Sequence, residues 1–516
     1  MTTATSTDPP TDRPNIILVT CLAGGAFVQA LDLTIANVAL PYMQGGLSAG
    51  RDQITWVVTS YVVASAVMTT PIGWLAARLG RKKLFLGALL GFTIASALCG
   101  TARSLEEMVL YRILQGAIGA ALAPLSQAMM FDLYPTEQRG HAGAIWGSGI
   151  LLGPILGPTL GGLLTDALDW RWVFYINVPV GIAIATGVIL LYHEHHRAEA
   201  PRFDWMGFGL LALALGALQL MLDRGTTEDW WQSREIQIEA ALAILGFYLF
   251  IVHSMTSDNP FLPLRLFGDA NFVAGLIAMF VIGMFLLTTM TLFPPYLQTL
   301  SGYSVTQTGL ALSPRGLTTL LALQFVGRYC QNLDARVAML VATAFMALSF
   351  WRMALWTPDV DMAEIIFVSV LQGIGTAFFF GPINLKAFAT LPIADRTTGS
   401  SLLALARNIG GGIGISISAS YLAFSIQRAH EHLAANVTPF NRALQHGAAS
   451  FMWNPAVPFS LEALNRTVER EALIIAYSDA FMLLLLSSIL ATIAICLVRE
   501  PKGTPVKETA QLPVLD

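Results

Sequence analysis

Charge is what this chain has least of. Only 12% of its 516 residues are Asp, Glu, Lys or Arg, where a soluble domain carries roughly 25%. With 55% hydrophobic residues, a water-exposed globule of this composition would aggregate. Cysteine is scarce too: Cys21, Cys99, Cys330 and Cys496 are scattered and form no CxxC pair, which argues against a disulfide framework and a zinc site. No GxxxxGK[ST] loop occurs, so ATP is not the expected energy source. The net charge of −4 gives no hint of nucleic-acid binding. A nucleophile–base or metal constellation is also missing, and no enzyme activity or cofactor is expected. HEHHR at 193–197 lies in a loop with no further ligand set and reads as a solvated linker. No cleavable signal pattern is seen; residues 1–15 are polar and Pro-rich and read as a tail.

What the chain has instead is a succession of apolar runs, each long enough to cross about 30 Å of hydrocarbon. Fourteen are expected: 16–40, 54–77, 84–102, 107–131, 142–165, 172–192, 205–222, 236–254, 271–293, 306–326, 336–356, 363–388, 399–426 and 473–497. Fifteen Lys and Arg residues, including Arg78, Arg81, Lys82, Lys83 and Arg396, fall in the termini or after even-numbered spans. The short loops after odd-numbered spans hold five. By the positive-inside rule both termini are cytoplasmic and the long loop 427–472 is outside.

The two ends of the chain resemble each other internally. LQGAIGAALAPL at 114–125 matches LQGIGTAFFFGPI at 371–383 at an offset of 257 residues, which also pairs Pro135 with Pro392 and Arg139 with Arg396. An offset of 254 pairs GWLAARLGRK, from Gly73, with GRYCQNLDAR, from Gly327. Both repeats have the same topology because an even number of spans separates them. The expected fold is therefore all-α: a cytoplasmic tail (1–15), a six-helix bundle (16–192), a linker with two additional spans (193–270), a second six-helix bundle (271–497) interrupted by loop 427–472, and a tail (498–516). Parallel halves of this kind form the major facilitator fold, whose substrate path runs between them near the midplane.

Several residues stand out against the apolar background. Asp32, in QALDLTIANVALP, is buried in a span where a carboxylate must face a cavity, pair, or take up a proton. Arg112 is the only charge between Glu107 and Asp132 and needs partners; pairing with Asp32 and a structural role near the outer interface both fit. Gly73, Arg78, Gly80 and Arg81 belong to GWLAARLGRKK, a tight turn with basic residues that serve orientation or a gate; Asp334 and Arg336 are their second-half counterparts. In GPILGPTLGG, Gly153, Gly157 and Gly161 share one helical face for close helix approach, while Pro154 and Pro158 invite bending; rocking at the interface between halves and plain close packing are the alternatives. Gln29, Asn37, Gln115, Gln372 and Arg407 are candidate cavity-facing groups, with interhelical hydrogen bonding as the plainer reading of the glutamines. GGGIG at 410–414 reads as a second small-residue packing face around Arg407.

These motifs resemble those of the fourteen-span drug:proton antiporters of the major facilitator superfamily, of the EmrB type, over about residues 16–500. LDLTIANVALP, GWLAARLGRKK, LYRILQGAIGAA, GPILGPTLGG, WRWVFYINVPVG at 170–181 and LQLMLDRGTTEDW at 218–230 carry the likeness. The resemblance implies a proton-coupled exporter of hydrophobic compounds in the inner membrane, with Asp32 in proton coupling or substrate contact and Arg112 supporting the proton path. It further implies a tripartite pump with a periplasmic adaptor, an EmrA-like membrane fusion protein, and a TolC-like outer-membrane channel; loop 427–472 is one candidate for the adaptor contact. One departure is Ala77, where the common motif has an acidic residue. The alternatives are an exporter of one physiological compound, such as a fatty acid, siderophore or phenolic, and a non-transporting sensor or scaffold.

Overall fold

The computed structural model describes residues 15–135, 138–192, 203–225, 228–257, 260–262, 264–329, 334–389, 391–392, 395–435, 437 and 458–497. Both tails, the HEHHR segment, and Cys330 and Cys496 lie outside or at the edge of what it describes; Cys496 is placed only as helix backbone.

Among the described residues there are α-helices and short 3-10 turns but no strand. The first half holds α1 (Ile16–Gly46), α2 (Arg51–Ile54), α3 (Trp56–Thr69), α4 (Ile72–Leu79), α5 (Arg81–Thr101), α6 (Leu105–Gly119), α7 (Leu122–Leu133), α8 (Arg139–Ala167), α9 (Trp172–Tyr175) and α10 (Asn177–Leu191). The insert is α11 (Trp205–Arg224) and α12 (Arg234–Thr256). The second half holds α13 (Ala270–Thr299), α14 (Val305–Tyr329), α15 (Ala335–Ala354), α16 (Met362–Ala389), α17 (Arg396–Ala434) and α18 (Pro458–Leu497).

Among the described residues, eleven helices are long and apolar enough to cross a membrane, or up to thirteen if each of two bent pairs counts as one span. The first pair, α3 and α4, bends by 59° at Thr70–Pro71, where proline has no N–H for the helix ladder. The second bend, 40°, separates His141–Pro154 from Thr159–Ala167 within α8, at the two expected prolines. The remaining expected span is α14, 25 residues long; Arg315 and Gln324 in its middle lower its hydropathy. Outward-facing positions carry large apolar residues where a soluble protein would place charge: Leu190, Ile244 and Met255 are 69%, 70% and 74% exposed. The protein is a multi-pass membrane protein.

The expected loop 427–472 is a correction. In its described parts it is helix, α17 continuing to Ala434 and α18 starting at Pro458, and His430 lies 3.4 Å from Asn465 across the two extensions. Polar residues in this stretch mark the end of the hydrocarbon, not the end of the helix.

The internal repeat is visible as packing. In the first half α1 packs on α8, α3 and α5 on α6, and α5 on α10; in the second α13 packs on α17, α14 and α15 on α16, and α15 on α18. Glycines set the closest approaches. Gly116 of α6 lies against the Tyr61 carbonyl of α3, and Gly373 of α16 against the Arg315 carbonyl of α14, leaving no room for a side chain. Gly153 and Gly157 of α8 sit on Ala30 and Thr34 of α1, and Gly410 and Gly414 of α17 sit on Phe280 and Met284 of α13.

Between the halves, α8 packs on α14 and α16, and α17 on α3, α4 and α7. α11 lies against both α3 and α17: Asp223 accepts from the Thr59 hydroxyl, and Ser416 donates to the Leu222 carbonyl at 2.9 Å. α12 packs on α11.

Candidate functional site

Asp32 is sixteen residues beyond Ile16, mid-way along α1, and its side chain is fully buried. α6 brings two partners to it from one face, because Arg112 and Gln115 are three residues apart. Arg112 Nη1 is 2.6 Å from Asp32 Oδ2, with both side chains 0% exposed. Gln115 donates Nε2 to Asp32 Oδ1 at 2.8 Å and accepts from Arg112 Nη1 at 2.8 Å. Asn177, the first residue of α10, donates Nδ2 to Asp32 Oδ1 at 3.0 Å and also to Ser96 Oγ of α5 at 3.0 Å. Arg112 Nε donates to the Val57 carbonyl at 2.9 Å, and its guanidinium lies over the Tyr61 ring, 4.2 Å from the centroid. Five helices thus contribute to one network centred on this carboxylate.

Arg112, Gln115 and Asn177 all donate to Asp32, so the constellation matches the ionised carboxylate. A proton on Asp32 would compete with one of these donors and remove the charge that holds Arg112. Arg112 Nη2, Asn177 Oδ1 and the Tyr61 hydroxyl are buried without a partner among the described residues, leaving hydrogen-bonding capacity at the rim of the network. The ion pair is enclosed laterally by these helices, with both side chains 0% exposed.

The turn after α4 separates the roles of its residues. Gly80 has φ 87° and ψ 147°, a conformation open only to glycine without strain, and it turns the chain from α4 into α5. Gly73 lies so close to Thr398 of α17 that a Cβ would overlap its hydroxyl. Arg81 pairs with Asp132 of α7 in the same half, and exposed Arg78 lies over Trp74, 5.1 Å from the ring centroid. At this end, called the basic end below, the halves also meet through Ser400 and Gln127 and through Phe131 and Phe388, whose ring centroids are 5.2 Å apart. Asp334 caps α15, accepting from the Arg336 amide at 2.9 Å.

Gly153, Gly157 and Gly161 all face α1, meeting Ala30 and Leu31, Thr34, and Ile35. Their face packs inside the first half. The contact of α8 with the other half uses different positions, Gly147 against Leu323 and Thr159 against Gly309. Pro154 lies at the bend of α8; the side chain of Pro158 is outside the described residues.

Gln29 accepts from the Ala123 amide at 3.0 Å, joining α1 to α7. Gln372 Nε2 lies 3.3 Å from Met353 Sδ. Asn37 is exposed on α1, and Arg407 of α17 is half-buried, its carbonyl against Gly283 of α13. Sequence reading missed Asn177, Ser96 and Tyr61, single uncharged polar groups in apolar spans. It also passed over Arg315, which carries the same signal as Arg112.

The Major Facilitator Superfamily model matches residues 22–415. The multidrug export protein EmrB of Escherichia coli (strain K12) is 36% identical over 428 residues, covering 83% of this chain and 84% of that one. The fatty acid resistance protein FarB of Neisseria gonorrhoeae is 36% identical over 483 residues, covering 92% and 94%. Among solved structures, the human organic anion transporter MFSD10 (TETRAN) superposes with a TM-score of 0.57 at 14% identity, covering 92% of this chain and 100% of that chain; at that identity the likeness is one of fold. Paired six-helix halves, a buried ion pair in the first of them and these relatives agree: the chain is a transporter of the Major Facilitator Superfamily, of the EmrB type.

Proposed function

We propose that this protein exports hydrophobic drugs or toxic compounds across the inner membrane in exchange for protons, by alternating access. The observation that carries the reading is the buried Asp32–Arg112 pair, embedded with Gln115 and Asn177 in the half that contacts the other through α8. The relatives named for multidrug export support the substrate class. The basic end faces the cytoplasm, both termini included, as the Lys and Arg distribution indicates.

In this mechanism the network alternates between two states. Ionised Asp32 holds Arg112 and the amides of Gln115 and Asn177. Proton uptake from the outer side discharges the pair, loosens α1 from α6 and α10, and lets the halves reorient; release to the cytoplasm restores it. One charge carried inward gains about 2.3 kcal/mol per 100 mV. The protein works as the inner-membrane part of a tripartite pump, with an EmrA-like adaptor and a TolC-like channel. The helical extensions of α17 and α18 beyond the apolar spans are the surface proposed for the adaptor. A second reading, export of one physiological compound such as a fatty acid, draws support from the relative named for fatty acid resistance.

The test uses purified protein in proteoliposomes with an acidic lumen, comparing the native chain with Asp32→Asn. Native protein should release lumenal protons on addition of some of a panel of hydrophobic cations, weak acids and uncouplers, and Asp32→Asn should abolish this. No proton movement with any compound, from a demonstrably folded native sample, would remove the antiport mechanism.

A further inference from the structure

The second half repeats the helix packing of the first without its charge balance. The glycine contacts fix which residues correspond. Gly116 on Tyr61 and Gly373 on Arg315 place Arg315 where the first half has Tyr61. Gly153 on Ala30 and Gly157 on Thr34, against Gly410 on Phe280 and Gly414 on Met284, place Ile282 where the first half has Asp32. Ser369, donating to the Ala311 carbonyl at 3.2 Å, stands where the first half has Arg112. A buried guanidinium is therefore present in both halves, but the position of the neutralising carboxylate is a fully buried isoleucine in the second.

Arg315 lies ten residues into α14, about 15 Å from that helix end, which is mid-depth. Leu310, Leu317 and Leu321 form the outward face of α14 at 59%, 61% and 65% exposure, and Arg315, 5% exposed, lies on the opposite side. The carbonyls and hydroxyls on that side face α16, where Thr319 donates to the Gly373 carbonyl at 3.2 Å. Arg315 Nη2 is buried and meets no acceptor among the described residues, and no carboxylate among them pairs with it. Arg407, eleven residues into α17, is at a similar depth and is likewise unpaired among the described residues. An embedded cation at this depth pairs or lines a substrate path, and nothing in the described protein pairs these two.

We propose that Arg315 receives the acidic head of an amphipathic substrate, a carboxylate on an otherwise apolar body. The proposal rests on the export reading above, takes up its fatty-acid alternative, and adds to it the residue and the half that hold the acidic head. The charge of the cargo completes in the second half the pair that Asp32 completes in the first. A guanidinium suits this task because its planar fork takes a carboxylate by two parallel hydrogen bonds.

The test is equilibrium binding to the full chain in phosphatidylcholine nanodiscs, corrected for empty discs, with three radiolabelled probes of one tail length: laurate, methyl laurate and dodecyltrimethylammonium. Native protein should prefer laurate to methyl laurate by about tenfold or more, as expected for a hydrogen-bonded charge pair. Arg315→Gln should erase the preference while keeping methyl laurate binding, and Arg315→Lys should retain part of it. Equal native affinities for laurate and its ester, or an undiminished preference in Arg315→Gln, would overturn the proposal. So would loss of all three probes in both variants, which marks a structural residue, and displacement of laurate by added phosphatidylglycerol, which assigns the site to a lipid headgroup. Binding is read without a proton gradient, so failed proton coupling leaves this result standing. A native chain that couples protons to cation export but shows no laurate preference sinks the inference alone.

Discussion

Asp32 and Arg112 illustrate how a membrane interior prices a charge. Each alone would be an uncompensated ion among Tyr61, Phe174 and Val57; together, with three further hydrogen bonds, they form a closed network. Breaking a buried pair from one side costs about 3–5 kcal/mol, more than replacing both partners. Arg112→Gln alone should therefore lower the apparent unfolding temperature in detergent more than Arg112→Gln combined with Asp32→Asn. Equal losses in the single and double variants would mean that the pair is not coupled in solution. Asp32 and Arg112 were legible in the sequence because charges inside apolar runs are rare. Their pairing was not, since 80 residues separate them and only the crossing of α1 with α6 joins them. Asn177 went unread for a different reason: one asparagine at the head of an apolar helix has many ordinary explanations, and its role follows from where α10 enters the bundle.

At the scale of helices, glycine placement and capping decide the geometry. The GPILGPTLGG face was open to two readings, rocking at the interface between halves and plain close packing; it packs on α1, because the 100° advance per residue holds glycines spaced by four within one stripe, while Gly147 and Thr159 meet the other half. Insert helix α11 is anchored by its cap, Asp204, which accepts from the Gly207 amide at 2.8 Å, the Phe261 amide at 3.0 Å and His253 Nε2 at 2.9 Å. Burial works against ionisation of Asp204, but the Gly207 amide, His253 and the Phe261 amide outweigh it and hold its carboxyl below the ordinary value. A depressed native pKa stabilises the fold above the unfolded value, about 3.9, and that contribution fades as pH falls through the native value. Asp204→Asn should thus lower the unfolding temperature at pH 7 and narrow its difference from the native chain below pH 4. A constant difference across that range would show that the cap acts through shape alone.

For the whole molecule, contacts that join the halves at the basic end include Gly73 on Thr398, Ser400 on Gln127 and Phe131 on Phe388. Alternating access requires these to separate. With the native cysteines replaced by alanine, a reducible bifunctional thiol cross-linker joining Gln127→Cys to Ser400→Cys should arrest transport, and reductant should restore it. Transport that continues at full rate through the cross-link would rule out opening at this junction. The insert adds a constraint of its own, since α11 is tied to α3 by Asp223 and Thr59 and to α17 by Ser416, so it must release one of them when the halves turn. The amino-acid sequence by itself determined the solvent, the helices and the repeat, because apolar run length, loop charge and internal similarity are local or pairwise properties. Only the tertiary structure decided that Asp32 is neutralised within its own half, that the glycines of α8 face α1, and that Arg315 stands opposite no carboxylate among the described residues. Those facts depend on which faces of distant helices meet, and on Ile282 occupying the place that Asp32 holds in the other half.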